Sequence, residues 1–458
     1  MNINELAKEF FSREDIRASA INDLAEIIAI PSVAGEPDGI YPYGKACADA
    51  LDKAASLAKK YGFKVENHEY HCMSVIFGEG EKEIGIVCHL DIVPAGDGWS
   101  VDPYALTQQD GLLLGRGTHD DKGPFIQSLY TLRFFKENNI DLPFAVRLIL
   151  GSDEEVGSTD LEYFVKVRKP PMFSFTPDSE FPVCIGEKSI LSLEVEFPSL
   201  PNNILELCGG TVANAVPGKA FAVVKTDKKL ENTENITVTE TEQGTKIEAV
   251  GKAAHAAMPE SGVNAINLLL GYLIDNGVAD CDIMRFLRNA TSEYLGKTLG
   301  INAENEDFGY LTCVGGVINK KDEKIIQSFN IRHLPENSAD EVKTLVENSV
   351  AVLGGKVNVV AESVGYFVSA DDEKIQALTK ACEDVLEKEC KPYTMGGGTY
   401  ARWLPNTVAF GSGIEEERGF LGSERGNAHQ RDEYISEKEF FLGMEIYSRA
   451  IGNLSEIV

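Results

Sequence analysis

Two histidines and several carboxylates, most of them just beyond apolar runs of this sequence, are of the types that can hold a cation. His89 and Asp91 follow an apolar run in VCHLDIVP. Residues two apart on an extended segment share a face, so both side chains can converge, and an acid beside a liganding imidazole would fix its tautomer through the other ring nitrogen. Asp120 and Asp121 lie in GRGTHDDKGP, a glycine-flanked turn that leads into a helical pattern. A bridge between two cations needs both oxygens of one compact group, which makes Asp120 the candidate. The alternative is that both acids cap the helix that follows. Glu154 and Glu155 come after the run FAVRLILGSD. Adjacent side chains point different ways, so one can bind metal while the other faces substrate. Three successive acids, Asp153 to Glu155, also repel one another unless cations offset them. Asp178 in FTPDS and His429 in GNAHQRDEY complete the set. Taken singly, each has a plainer reading as a strand-end, capping or solvated loop residue.

Taken together, mixed imidazole and carboxylate ligands suit Zn²⁺, Mn²⁺ or Co²⁺. No cysteine stands at these positions, which argues against a purely structural zinc.

The order HLDIVP, GRGTHDDKGP, DEEVGS, TPDS and a late histidine resembles the dinuclear metallopeptidases related to aminoacylase, carnosinase and glutamate carboxypeptidase, over nearly the whole chain. The segments TVANAVPGKA, GKAAHAAMPESGVNA, FNIRHLP and MGGGTYAR are similar to the bacterial dipeptidase branch of the peptidase V type. The resemblance implies that His89, Asp120 and Asp178 hold one metal and Asp120, Glu155 and His429 the other. Two divalent ions are then expected, zinc first, with manganese or cobalt as alternatives. Asp91 would support His89, and Glu154 would be the general base. Asn214, His255 and Arg332 match positions that this family uses to hold substrate and transition state. The family also places a cis peptide after the bridging acid, here Asp120-Asp121. His119 departs from the expected motif, but it stands beside a ligand and is not one itself.

The chemistry implied is hydrolysis of a dipeptide or very short peptide with a free N-terminus. Two cations sharing a water lower its pKa toward neutrality. Glu154 would take the proton and pass it to the leaving amine. His255 would stabilise the oxyanion. Arg332, whose planar fork matches two oxygens, and Asn214 would fix the substrate carboxylate. Gly397 and Gly398, within the turn Gly396 to Gly398, would let backbone N–H groups approach the substrate. A deacylase of N-acyl amino acids would share every metal ligand, and only substrate tests separate the two. A catalytically dead binding relative is disfavoured by the intact ligand set and Glu154.

Positioning these residues falls to two textures of chain. Short apolar runs alternating with helical patterns, as in IGIVCH, PFIQSLYTLRFFKENN and FAVRLILGS, predict an α/β catalytic domain with a largely parallel sheet. After about Gly186, longer alternating strands interrupted by two helices predict an inserted α+β lid domain. The expected boundaries are residues 1–186 and 371–458 for the catalytic domain and 187–370 for the insertion. An insertion of about 180 residues is a large domain in its own right. In many members of the family a smaller insertion pairs with that of a second subunit; this one carries enough strands to supply both halves itself, so a monomer is expected.

The chain has 458 residues, 43% hydrophobic and 25% charged, the balance of an ordinary soluble protein. A net charge of −29 repels nucleic acid phosphates and anionic lipid. Neither nucleic acid nor membrane is expected as a partner. Nine scattered cysteines and a start, MNINELAKEFFSRED, without a secretory pattern fit the cytoplasm.

Overall fold

A computed structural model describes residues 3–198, 201–321 and 323–458. Met1 and Asn2, at the head of the segment read as lacking a secretory pattern, lie outside them. The chain divides into two compact units. Unit 1 comprises Met1–Ile185, Val368–Tyr393 and Thr399–Val458; unit 2 comprises Gly186–Phe367 and Thr394–Gly398. The short piece Thr394–Gly398 thus groups with unit 2, although the flanking chain on both sides belongs to unit 1.

Unit 1 is built on a mixed sheet in the order Lys64–His68, Cys72–Phe77, Ala145–Gly151, Glu83–His89, Phe173–Thr176, Thr407–Ala409 and then Cys184. The Glu83–His89 strand pairs in parallel with both of its neighbours, and Thr407–Ala409 runs parallel to Phe173–Thr176. The outer pairings are antiparallel. Continuous apolar runs explain the parallel centre, since strands covered on both faces need no polar side. Ile84, Ile86, Val87, Leu148 and Ile149 are fully buried, each worth roughly 1.5–3 kcal/mol relative to exposure.

The helix Lys122–Glu137 is buried along almost its whole length and packs on the closing helix Glu437–Ile457. The closing helix is capped by Ser436, with a capping box between Ser436 and Glu439. Three N-terminal helices, Ile3–Ser12, Glu14–Ile28 and Lys45–Lys60, belong to the same unit.

Unit 2 holds an eight-stranded antiparallel sheet in the order Ile236–Glu240, Thr245–Val250, Lys219–Val224, Ile204–Gly209, Thr312–Lys321, Lys324–His333, Ser189–Phe197 and Lys356–Ser363. Its strands alternate: Leu191, Leu193, Val195 and Phe197 face a core while their neighbours do not. The two four-stranded halves meet on just two residue pairs, Cys208↔Asn319 and Gly209↔Ile318.

Where two helices are expected in this unit, three are present: Ala265–Asp275, Asp282–Ser292 and Ala339–Ala351. The middle one is as long as Ala265–Asp275 but much more polar, so no continuous apolar run marks it. Met284, Leu287 and Ala290 make its buried stripe, and weak helix formers end it. Among the described residues no helix is long and apolar enough to cross a membrane. None of the nine cysteines forms a disulfide.

Candidate metal centre and active site

The parallel strands of unit 1 end where its acids gather, as open α/β sheets place their sites. His89 is the last residue of its strand and is fully buried. Asp120 lies between two imidazoles. Its Oδ1 is 2.9 Å from His89 Nε2, and its Oδ2 is 2.9 Å from His429 Nε2. Glu155 Oε2 stands 3.0 Å from the same His429 nitrogen, and Asp178 Oδ2 is 3.9 Å from His89 Nε2. One donor atom each from His89, Asp120 and Glu155 lie within 4.8 Å of one another, and so do those of His89, Glu154 and Asp178. The sequence-predicted metal residues of unit 1 are thus together, and Glu154 is among them.

This donor set suits a divalent cation on an observation of its own. His89 Nε2 and Asp120 Oδ1 are buried and face each other at 2.9 Å, yet neither has a hydrogen-bond partner. Buried polar atoms without partners are rare and call for an explanation, and a cation held between the two supplies one. The electrostatics agree. Burial opposes protonation of His89, but the carboxylates of Asp120 and Asp91 outweigh it and hold its pKa well above the usual range. His429 is raised to about 11, the desolvation caused by its crowded neighbours being outweighed by Asp120 and Glu155. Burial also favours the charge-free form of Asp120, yet the two imidazoles push its pKa well down. Glu154 and Asp178 are pushed well up by burial, with Glu155 and Asp120 adding for Glu154 and Asp120 for Asp178. Each of these shifts reports acids crowded where positive charge is wanted.

The supporting contacts are built from backbone as much as from side chains. His89 Nδ1 lies 3.0 Å from the carbonyl of Asp91 and 3.4 Å from its Oδ1. The carbonyl is therefore the nearer partner, where the sequence suggests the carboxylate. Asp91 Oδ2 instead accepts the N–H of Glu155 at 3.0 Å. Asp121 Oδ2 accepts the N–H of His89 at 3.0 Å, and the Asp120-Asp121 peptide is cis. His119 turns its Nε2 to the Arg418 guanidinium, which pairs with Glu439 at 2.9 Å.

Sequence reasoning misses three residues that hold this arrangement. Glu433, fully buried, accepts the backbone N–H groups of Gly117, His119 and Asp120 and pairs with Arg116. Asp160 accepts the N–H groups of Ser152 and Asp153, just ahead of the Glu154–Glu155 pair, and the hydroxyl of Tyr400. Tyr400 sets its ring edge-on to His89 at 6.0 Å. Gly151 is required here, since a Cβ would lie 2.0 Å from the Tyr400 hydroxyl.

In unit 2 the expected substrate residues form a neighbourhood of their own. Ala215 pairs with His255, and the Asn214 carbonyl accepts the N–H of Ala256. His255 Nδ1 accepts from Ala257 N at 3.2 Å. Arg332, buried, donates from Nη1 to the Gly396 carbonyl and from Nε to Asn330 Oδ1. A Cβ on Gly396 or Gly397 would make only ordinary contacts, at 3.4 Å to Ala257 and 3.6 Å to Met395. Internal packing therefore does not demand glycine at either position.

The sequence profile of peptidase family M20/M25/M40 matches residues 85–453. The YtjP protein of Bacillus subtilis (strain 168), provisionally named a dipeptidase, is 30% identical over 460 residues, spanning 95% of this chain and 97% of its own. The Beta-Ala-Xaa dipeptidase of Lactobacillus delbrueckii subsp. lactis is 29% identical over 483 residues, spanning 100% and 99%. Among solved structures, the dipeptidase Dug1p of Saccharomyces cerevisiae shares the fold with a TM-score of 0.62 at 16% identity, covering 99% of each chain. The chain belongs to peptidase family M20/M25/M40.

Proposed function

We infer that this protein is a metal-dependent dipeptidase acting on dipeptides or very short peptides with a free N-terminus. The observation that carries the reading is Asp120, whose two oxygens face two different imidazoles at 2.9 Å each. That is the disposition a bridging carboxylate needs. Relatives named as dipeptidases, matched end to end, support the substrate class.

In this reading His89, Asp120 and Asp178 hold one divalent ion and Asp120, Glu155 and His429 the other, with zinc first and manganese or cobalt as alternatives. When bound, such ions supply Lewis-acid activation of water and of the scissile carbonyl. Glu154, a carboxyl whose burial favours holding a proton, accepts one from the attacking water and delivers it to the leaving amine nitrogen. With a proton on Nδ1 held by the Asp91 carbonyl, His89 would present the lone pair of Nε2 to the ion. Arg332 and Asn214 bind the substrate carboxylate, His255 donates to the oxyanion, and Gly397 and Gly398 admit the peptide backbone. Support for these three roles is the likeness of their motifs to the dipeptidase branch.

A monomer is part of the proposal. Unit 2 contains two four-stranded halves of one sheet, so a second copy is not needed to complete it. A small peptide is the expected partner, and the absence of disulfides accords with a cytoplasmic location.

The test is protein stripped with a chelator, reconstituted with Zn²⁺, Mn²⁺ or Co²⁺, and assayed against dipeptides, tripeptides and N-acyl amino acids. Dipeptides with a free α-amine should be cleaved first. Full activity without metal, or preference for acetylated or succinylated substrates, would overturn the reading. Mixing His255→Ala with Glu154→Gln protein should leave both inactive, whereas a dimer sharing His255 would recover activity.

A further inference from the structure

Glu433 stands four residues after His429, and nothing in the reaction uses it. It is nonetheless fully buried, and both its side chain and its backbone are committed to one loop. Its Oε1 accepts three N–H groups, from Gly117 and His119 at 3.0 Å each and from Asp120 at 3.1 Å. Its Oε2 takes the Arg116 guanidinium. Its carbonyl accepts Gly115 N at 3.0 Å and Thr118 Oγ1 at 3.3 Å. Directly after it, Tyr434–Ser436 pairs antiparallel with Leu112–Leu114. The whole approach to Asp120 is thereby fastened to the segment that carries His429.

We propose that Glu433 is the positioning residue for Asp120: by gathering three amides of the loop onto one oxygen, it fixes the direction of the Asp120 carboxylate and ties it to the His429 segment before any cation arrives. An ionised carboxylate is the group this task requires. Three N–H donors on one oxygen and a guanidinium on the other leave no place for a donor. Glutamine, though of the same shape, would turn an NH₂ toward either the amides or Arg116. Alanine would leave three buried N–H groups and a buried cation without an acceptor.

This inference rests on Asp120 being a metal ligand, and the experiment separates the two. Co²⁺ affinity is measured by chelator competition on Glu433→Gln, Glu433→Ala and, in parallel, Asp120→Asn, with the visible absorption of the bound Co²⁺ recorded and folding followed by circular dichroism. Folded Glu433→Gln should bind Co²⁺ about 10–100-fold more weakly with an altered spectrum. With saturating metal its kcat should fall while KM for a dipeptide stays near that of the parent.

A variant that merely loses thermal stability, with parental Co²⁺ affinity and spectrum, would overturn the proposal. If Asp120→Asn also keeps full affinity, the ligand reading itself has failed. A measurement on the unaltered protein guards against variants that do not fold. In the metal-free enzyme the amides of Gly117, His119 and Asp120 should be protected from hydrogen exchange, and rapid exchange there would equally overturn it.

Discussion

The two imidazoles that face Asp120 are held in opposite ways. His89 ends a strand in the parallel centre of the sheet, its side chain has no exposure, and its ring is braced by the Asp91 carbonyl and the edge of Tyr400. His429 stands in a loop with its side chain 54% exposed and a backbone φ of +64°. That left-handed conformation is uncommon outside glycine and is kept where the surroundings impose it. The loop is tied down nearby by Asp432, which accepts from Ser100 and pairs with Arg425 at 3.0 Å. One side of the centre is thus part of the core, and the other is a fastened piece of surface. A buried, preset ligand loses little entropy on binding, whereas an exposed one must be ordered.

The sharpest way to break this contrast is Asp120→Asn, which should act on both sides at once. Metal analysis should show both ions weakened and activity at background; one ion retained at full occupancy would mean that Asp120 does not bridge. Next comes Glu154→Gln, expected to cost about 10²–10⁴-fold in kcat with metal content unchanged. Loss of metal in that variant would move Glu154 among the ligands, beside the His89 and Asp178 donors it already approaches.

A finer test compares His89→Ala with His429→Ala by graded chelation. The ion on the exposed side should leave first in the parent enzyme. His429→Ala should abolish that early step and leave the later one, and equal loss from both sides would erase the contrast.

The smallest effect is a pH dependence on the buried side. Burial, with Asp91 adding, raises Asp160 from 3.8 to about 7. The folded chain then keeps a proton that the unfolded chain releases, so this stabilisation is full below about pH 4 and is lost as pH rises toward 7. In metal-free protein, Asp160→Asn should flatten that part of the melting-temperature profile; an unchanged slope would assign it elsewhere.

Much of unit 1 is legible because His89, Glu154, Glu155 and Asp178 come just after apolar runs, and a buried strand announces where its end must be. The contacts that fix those ligands are not. Glu433 and the three amides it accepts are 313 to 316 positions apart, and Tyr400 and Asp160 are 240 apart. Nothing in DEY or STDLE distinguishes a buried acid from a solvated one. Asp91 lies beside His89, yet no pattern in the sequence tells a carbonyl contact from a carboxylate one. The middle helix of unit 2, Asp282–Ser292, is as long as Ala265–Asp275 but much more polar, so no continuous apolar run marks it.

The seam in the unit 2 sheet, where two four-stranded halves touch through two residue pairs, has a consequence in mass action. Halves supplied by separate chains would come apart on dilution, and any activity that depends on their union would fall with enzyme concentration. Halves on one chain meet at an effective concentration set by the connecting peptide, which dilution does not change. With the proposed monomer as the active form, specific activity should therefore stay constant over a roughly thousand-fold dilution of metal-saturated enzyme.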